Sequence, residues 1–249
     1  MQTTTGTKQL GLALPFVGRE KEVARLKQLH AQRKHVLILG AAGVGKTALV
    51  RQASVLLPLL VCPNSTKFSD ICDAMENALK LDRTEKRLPQ RKSRLLKTLV
   101  TAGKTVVFDG VAWTTPKLSS FIDCISECVP VWICCRSEHP WDIGHFWPFL
   151  WKFARVELRP FSQSESIALL EAAVENGQVP ATALKAAERL HHLAAGNPRV
   201  LCELLDELAS GRYDPQKVFE LKLLDLDRRI HEAVPGTSIP VAKPSRHHE

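Results

Sequence analysis

One octapeptide of this 249-residue chain combines the residue types and spacing that can hold a phosphate group. It runs Gly40-Ala41-Ala42-Gly43-Val44-Gly45-Lys46-Thr47 and fits the pattern Gly-x-x-x-x-Gly-Lys-[Ser/Thr]. Its glycines leave room for successive backbone N–H groups to turn inward around phosphate oxygens. The helix that should follow favours an anion at its N-terminus through its dipole and its unpaired amides. The octapeptide therefore predicts nucleotide binding.

Two side chains at the end of the octapeptide predict what it would contact. Lys46 would reach the β- and γ-phosphates as a point charge, and the Thr47 hydroxyl would take one position on Mg²⁺. The apolar run Val36-Leu37-Ile38-Leu39 predicts a buried strand before the loop, and residues 47 to about 56 predict a helix that Pro58 stops. The expected cofactors are therefore ATP and Mg²⁺.

Strands that alternate with helices predict the rest of the fold. Further buried strands are expected at Leu59–Cys62, Thr105–Phe108, Val131–Cys135 and Arg155–Leu158, with helical stripes between them. This order is typical of an α/β fold with a five-stranded parallel sheet flanked by helices. From Ser162 the strand pattern stops and four helices follow, which predicts a small all-helical lid domain.

The same patterns divide the chain into four segments. Residues 1–14 are expected to be a flexible arm, and residues 15–160 the nucleotide-binding α/β domain, with the boundary at the composition change near Pro160. Residues 161–233 are expected to be the helical lid domain. Residues 234–249 contain three prolines and no apolar stripe, which predicts a disordered tail.

Asp109 is the best candidate for the acidic residue that a phosphate loop needs for Mg²⁺. Four apolar residues precede it and should place its carboxylate at the C-terminal edge of the sheet, beside the loop of the first strand. There it would hold the metal through water. The alternative is an aspartate that only caps the following turn.

Four further stretches agree with a known pattern in order and spacing from about residue 15 to 210. They are Phe16-Val17-Gly18-Arg19-Glu20, Asp109-Gly110-Val111-Ala112-Trp113, Cys134-Cys135-Arg136 and Gly196-Asn197-Pro198-Arg199. With the phosphate loop, they resemble the AAA+ and STAND branch of P-loop NTPases, and especially the origin-recognition type of ATPase domain. The resemblance implies that the backbone of the first stretch lies beside the adenine. It also implies that Arg136 and Arg199 face the γ-phosphate as sensors.

Motif and resemblance together imply a set of site residues. The catalytic candidates are Lys46, Asp109, Arg136 and Arg199, and the metal candidates are Thr47 and Asp109. The nucleotide-binding candidates are Val17, Gly18, Gly40, Ala41, Ala42, Gly43, Val44, Gly45, Lys46, Thr47, Ala48 and Pro198. Two alternatives stay open: Arg199 as a solvated helix arginine, and Arg136 as the partner of a nearby acid such as Glu138.

Gly110 departs from the pattern that the resemblance implies. In hydrolysing relatives a second acid commonly follows the magnesium-holding aspartate and orients or deprotonates the attacking water. Glycine can do neither, although Glu138 or an acid from a neighbouring subunit could substitute. Loss of a general base typically costs a factor of ~10²–10⁴ in rate. We therefore expect ATP binding, with slow hydrolysis to ADP and phosphate.

The net charge of +8 is concentrated in one stretch. Residues Lys80 to Lys97 include eight basic and two acidic side chains, which could contact nucleic-acid phosphates or form a solvated helix face. An aromatic segment from His139 to Phe153 could be a partner surface or core packing, and core packing is the favoured interpretation.

Two classes of function follow from the sequence. The first is an AAA+/STAND-type ATPase that acts as a nucleotide-dependent switch and controls assembly on DNA, a protein partner or further copies of itself. The second is a non-hydrolysing ATP- or ADP-binding regulator whose output is protein binding. The chain has no apolar run of membrane-spanning length and no signal-peptide core. We therefore expect a cytoplasmic protein without a membrane partner.

Overall fold

The computed structural model describes residues 14–62, 68–82 and 87–233, without the side chain of His231. The predicted arm and tail therefore lie outside the described residues, apart from Leu14. The described strands are β1 (Val36–Leu39), β2 (Leu59–Cys62), β3 (Thr105–Phe108), β4 (Val131–Cys135) and β5 (Ala154–Glu157). The described helices are α1 (Glu20–Ala31), α2 (Lys46–Leu56), α3 (Phe68–Ala78), α4 (Leu88–Ala102), α5 (Pro116–Cys128), α6 (Pro140–Ile143), α7 (Gln163–Glu175), α8 (Ala187–Ala194), α9 (Pro198–Ala209) and α10 (Val218–Ala233).

The five strands form one parallel sheet in the order β2-β3-β4-β1-β5. Val36 of β1 lies opposite Trp132 of β4 on one side and Ala154 of β5 on the other, so β1 is an interior strand. Parallel strands end at a common edge, and the loops that follow β1, β3 and β4 therefore meet there. The predicted fold class is confirmed: a five-stranded parallel P-loop NTPase sheet flanked by helices, with a helical region after it.

Both faces of the sheet are buried, which explains why its strands are apolar throughout instead of alternating. Leu37 points into a core formed with α3, α4 and α5. Its neighbours Val36 and Ile38 point into a second core formed with α1 and α2. Trp132 of β4 is fully buried in that second core. The side chains of one strand thus serve two cores, and the strand positions are fixed from both sides.

The chain divides into two compact units. One contains residues Phe16–Phe161 together with Asn197–Arg199, and the other contains Ser162–Gly196 and the described residues from Val200 onward. In the helical unit, a capping box begins α7: Ser162 Oγ accepts a hydrogen bond from the Glu165 N–H, and the Glu165 carboxylate accepts one from the Ser162 N–H. The three-residue segment Asn197–Arg199 is separated from its neighbours in sequence because its contacts are with the α/β unit.

The structure differs from the sequence prediction in several element bounds. Strand β5 begins and ends one residue earlier than expected, at Ala154 and Glu157. The aromatic segment from His139 to Phe153 contains the short helix α6 and a 3-10 helix at Trp147–Lys152. The second of the four expected helices consists of two parts, a 3-10 helix at Ala181–Ala186 and α8.

None of the helices in the described ranges combines the length and the apolar character needed to cross a bilayer.

A buried ion pair joins α3 to α4. The guanidinium of Arg91 donates from Nε to Glu76 Oε1 at 2.8 Å and from a terminal nitrogen to Glu76 Oε2 at 2.6 Å, and it also bonds the Asp73 carboxylate. Glu76 is only 2% exposed. The hydrogen bonds that Arg91 donates to the Glu76 carboxylate raise the pKa of Arg91 above its usual value, so this cation stays charged. Arg91, one of the eight basic residues in the stretch from Lys80 to Lys97, therefore serves the fold.

Replacement of Arg91 tests this role. Arg91→Ala should lower the free energy of unfolding by about 3–5 kcal/mol, because it leaves the Glu76 carboxylate buried without its partner. The exposed neighbour Arg87 provides the control, and Arg87→Ala should change stability by less than about 0.5 kcal/mol. The double change Glu76→Met with Arg91→Met should recover most of the loss. Urea unfolding followed by circular dichroism measures all three, and equal stability of Arg91→Ala and Arg87→Ala would contradict the assignment.

Candidate functional site

The octapeptide forms the loop between β1 and α2. Gly40, Gly43 and Gly45 have φ angles of +154°, +79° and +102°, conformations that side chains disfavour. Gly45 is the N-cap of α2, so the first amides of this helix have no partner within it. The loop thus ends in the type of helix N-terminus that attracts phosphate.

Lys46 lies in the first turn of α2 and folds back over the loop. Its ammonium donates to the carbonyl oxygens of Gly40 at 2.5 Å and Ala41 at 2.9 Å. Partial burial lowers the pKa of Lys46, while nearby Asp109 opposes that change and Arg136 adds to it. Lys46, Asp109 and Arg136 are therefore close enough to interact electrostatically. Thr47 and Ala48 are exposed on the same turn of α2.

Three successive carbonyl groups of the loop accept hydrogen bonds from residues distant in sequence. The Asn197 side-chain amide donates to Ala42 O at 3.0 Å, and the Arg199 backbone N–H donates to Gly43 O at 3.2 Å. The Arg19 guanidinium donates to Val44 O at 3.4 Å. We call Arg19, Asn197 and Arg199 the loop clamp. Arg199 is otherwise exposed, at the start of α9, and Pro198 precedes it.

Arg19, like Asn197, is a clamp member that was absent from the site residues predicted from the sequence. It is 4% exposed, and its guanidinium also donates to Arg159 O at 2.5 Å and lies 4.8 Å from the centre of the Phe161 ring. Residues Val17 and Gly18, which immediately precede it, are partly buried. The stretch around Arg19 is thereby attached both to the loop and to the chain that follows β5.

Asp109 directly follows β3, as predicted, at the edge where the phosphate loop also lies. Its N–H donates to Cys62 O at 3.2 Å, which continues the pairing of β3 with β2. Its Oδ1 atom is buried and accepts no hydrogen bond within the described residues. The thiol of Cys134 on β4 has a pKa well above its usual value, first because it is buried and then because of Asp109. Asp109 thus has a buried carboxylate oxygen that can accept a further ligand.

Gly110 is a glycine for a conformational reason. Its φ of +71° lies in the left-handed region, where a side chain is disfavoured. Glu138, the substitute acid considered above, pairs through both carboxylate oxygens with Arg155, one of these bonds measuring 2.9 Å. It is therefore held by another cation and not by Arg136. Arg136 is exposed and makes no hydrogen bond or ion pair with any other described residue.

The donor set at this edge fits a metal that arrives with its own ligands. Residues 14–62, 68–82 and 87–233 contain no group of three or more histidine, cysteine, aspartate or glutamate side chains able to hold a metal alone. Thr47 and Asp109 supply a hydroxyl and a carboxylate, which are the hard oxygen ligands that Mg²⁺ prefers. Mg²⁺ is typically held by one or two such groups together with substrate phosphates.

The basic stretch from Lys80 to Lys97 is less available than its composition indicates. Besides Arg91, Lys92 lies 5.8 Å from the centre of the Phe121 ring, and Arg94 donates to Asp82 O at 2.6 Å. Lys80, Arg87 and Lys97 are exposed. Arg83 and Lys86 lie outside the described residues. Three of the eight cations therefore make contacts inside the protein.

The parallel sheet and the glycine-rich loop at its edge together define a P-loop NTPase fold. Three solved structures are similar to the chain: the Orc1 protein of Aeropyrum pernix in complex with DNA (TM-score 0.61, 16% identity), Cdc6p from Pyrobaculum aerophilum (TM-score 0.61, 15% identity), and a STAND protein with a tetratricopeptide repeat sensor from Pyrococcus horikoshii (TM-score 0.52, 18% identity). They cover 89%, 83% and 90% of this chain, which spans 70%, 64% and 33% of theirs. No protein-family model and no curated protein sequence matches. The predicted resemblance to origin-recognition ATPases is confirmed at the level of the fold.

The close approach of the clamp to the loop predicts different costs for two glycine substitutions. A Cβ at Gly43 would lie 2.6 Å from Asn197 Oδ1 and 3.0 Å from Arg199 Cβ, whereas a Cβ at Gly45 meets nothing within 4 Å. Gly45→Ala should therefore cost about 1 kcal/mol from its φ alone, and Gly43→Ala should cost about 2–4 kcal/mol. Adding Asn197→Ala should remove about 0.5–3 kcal/mol of the Gly43→Ala cost.

Urea unfolding without nucleotide measures these costs as a double-mutant cycle. Asn197→Ala alone should cost about 0.5–1.5 kcal/mol through its lost bond to Ala42 O. Strict additivity of the Gly43 and Asn197 changes would show that the two residues do not touch.

Proposed function

We propose that the protein is an ATP-binding AAA+/STAND-type P-loop ATPase that acts as a nucleotide-dependent switch with slow hydrolysis and controls assembly on DNA or a protein partner. The observation that carries this proposal is the buried, unpartnered Oδ1 of Asp109 at the sheet edge that also bears the phosphate loop. A buried carboxylate oxygen without a donor is unfavourable unless a ligand satisfies it. Magnesium-bound water is the natural partner there.

The chain's own groups would bind the phosphates as follows. The amides of the loop and of the first turn of α2 donate to phosphate oxygens, and Lys46 exchanges its bonds to Gly40 O and Ala41 O for bonds to the β- and γ-phosphates. Thr47 and Asp109 would hold Mg²⁺, whose charge would neutralise the triphosphate. The backbone of Val17 and Gly18 would lie beside the adenine.

Slow hydrolysis follows from the groups that surround the γ-phosphate position. Arg136, exposed and unpaired within the described part of the chain, can neutralise charge there. The water-activating acid is the missing part, because residue 110 is glycine and Arg155 holds Glu138. The lack of a water-activating acid also favours the second candidate, a non-hydrolysing ATP- or ADP-binding regulator whose output is protein binding.

The switch would act through the loop clamp. Asn197 and Arg199 bond the carbonyls of Ala42 and Gly43, and α9 begins at Pro198 between them. Phosphate binding that moves these peptide groups would therefore act directly on the first residues of α9. The exposed cations Lys80, Arg87 and Lys97 could add contacts to DNA, which the A. pernix Orc1 protein binds in its structure.

Nucleotide binding is tested with a lysine pair. Lys46→Ala should weaken Mg·ATP binding about 10- to 100-fold, because charge-assisted hydrogen bonds to the phosphates are lost. Lys21→Ala, which removes an exposed lysine on α1, is the matched control and should bind as the wild type does. Titration of a fluorescent ATP analogue measures both affinities. Equal binding by the two variants would refute the proposed site.

The role of Asp109 is tested by its dependence on magnesium. Asp109→Asn should weaken nucleotide binding about tenfold in the presence of Mg²⁺ and leave it unchanged with EDTA, since only the metal contact is altered. A loss of equal size in both conditions would mean that Asp109 does not act through the metal.

Hydrolysis is tested by phosphate release from wild type and Lys46→Ala, with and without duplex DNA. Slow release above the Lys46→Ala rate would support the switch with hydrolysis, and stimulation by DNA would identify the partner class. Release at the Lys46→Ala rate under both conditions would favour the non-hydrolysing regulator.

A further inference from the structure

Two exposed tryptophans stack on each other at the surface of the α/β unit. Trp113 is 50% exposed and Trp141 is 76% exposed. Their ring centres lie 6.3 Å apart with an angle of 23° between the ring planes. Trp113 comes from the loop after β3 and Trp141 from α6 after β4, so two separate segments of the chain form the pair. We call these two side chains the tryptophan pair.

A buried threonine holds the two segments together. Thr114 is fully buried, its hydroxyl donates to Ile143 O at 2.5 Å, and the Phe146 N–H donates to its Oγ1 at 2.9 Å. Thr114 also forms a parallel bridge with Gly144, and the Trp113 N–H donates to Asp142 O at 3.2 Å. The backbone beneath the tryptophan pair is therefore fixed, and the indoles are presented in a defined geometry.

The display of Trp113 has a conformational cost. Its φ is +49°, in the left-handed region that bulky residues disfavour. Conformations of this kind persist where the surrounding structure imposes them, and they are concentrated at functional sites. The aromatic segment from His139 to Phe153 is thus divided: Phe146 and Phe153 are buried in the core, while Trp141, Trp147 and Trp151 are exposed. Core packing accounts for the phenylalanines and leaves the tryptophans unexplained.

The charges around the tryptophan pair favour an anionic ligand. Asp142 accepts a hydrogen bond from Ser137 at 2.5 Å, and Glu138 is neutralised by Arg155. Lys117 is exposed and bonds no other described residue. Lys117 lies in the first turn of α5, where the helix dipole makes a cation unfavourable. Asp142 and Glu138 therefore have partners, whereas Lys117 has none among the described residues.

We propose that the tryptophan pair is a stacking platform for unpaired bases of single-stranded nucleic acid. Exposed indoles bind bases of any sequence by stacking, and nearby cations bind the phosphates that connect them. A flat aromatic surface with an unpaired lysine four positions after Trp113 matches this chemistry better than an apolar protein segment, which would leave that lysine without a counter-charge. The tryptophan pair and Lys117 belong neither to the phosphate loop nor to the proposed metal site, so binding at the pair does not require Lys46.

Fluorescence anisotropy of a labelled 20-nucleotide oligothymidylate tests the proposal. The double variant Trp113→Ala with Trp141→Ala should bind at least about tenfold more weakly than the wild type, because stacking on both rings is lost. Trp151→Ala is the matched control, since Trp151 is also 76% exposed and lies outside the tryptophan pair. Trp113→Phe with Trp141→Phe should retain most of the affinity. Lys117→Ala should weaken binding and reduce its salt dependence.

The outcomes separate this proposal from the proposed ATP switch. Lys46→Ala should lose ATP binding and keep the wild-type affinity for the oligonucleotide. Equal binding by the double tryptophan variant and by Trp151→Ala would overturn the platform. So would the absence of oligonucleotide binding by the wild-type protein, and the tryptophan pair would then belong to a protein interface. Circular dichroism of each variant verifies that the fold is intact.

Discussion

The phosphate loop depends on hydrogen bonds that its carbonyl groups accept from outside the loop. In a trans peptide unit the carbonyl of one residue and the N–H of the next point in opposite directions. Bonds from Asn197 to Ala42 O and from Arg19 to Val44 O therefore turn the N–H groups of Gly43 and Gly45 away from the clamp. The hydrogen bonds to the carbonyl oxygens therefore orient the N–H groups of the loop, although a bound anion would contact only the N–H groups.

This constraint connects distant parts of the chain. Arg19 lies at the start of α1 and Asn197 just before α9, 178 positions apart in the numbering of the chain. Asn197 can approach the loop because residue 43 is glycine, since a Cβ at this position would overlap Asn197 Oδ1. The backbone N–H of Arg199 completes the clamp. The grouping of Asn197–Arg199 with the α/β unit follows from these contacts.

The sequence predicted well those parts of the fold that local patterns determine. Four strands agree residue for residue, because a strand buried on both faces is an uninterrupted apolar run between turn residues. The segment after β4 was harder to predict, since its aromatic residues divide between core and surface without a regular period. The functions of Arg19 and Asn197 were hidden for another reason. Their partners are backbone carbonyls far away in sequence, and no spacing within one stretch reveals such a bond.

The same distinction bears on the chemistry of the site. Lys46, Thr47 and Asp109 could be identified from the sequence because each has a fixed offset from a strand or a motif. The sequence also shows that residue 110 is a glycine and not a second acid. The reason for the glycine became clear only from the backbone conformation in the structure. At a φ of +71° a glutamate would be strained, so the fold at this turn favours glycine whether or not water is to be activated.

Binding and cleavage therefore make different demands on this edge of the sheet. Binding needs amides, a cation and hard oxygen ligands, which the loop, Lys46, Thr47 and Asp109 present. Cleavage also needs a carboxylate near the attacking water, and in the structure the Glu138 carboxylate is instead paired with Arg155 in a partly exposed ion pair. A switch that holds its nucleotide for long periods requires only the first set of groups. The slow turnover that we propose would then follow mainly from the backbone conformation at Gly110.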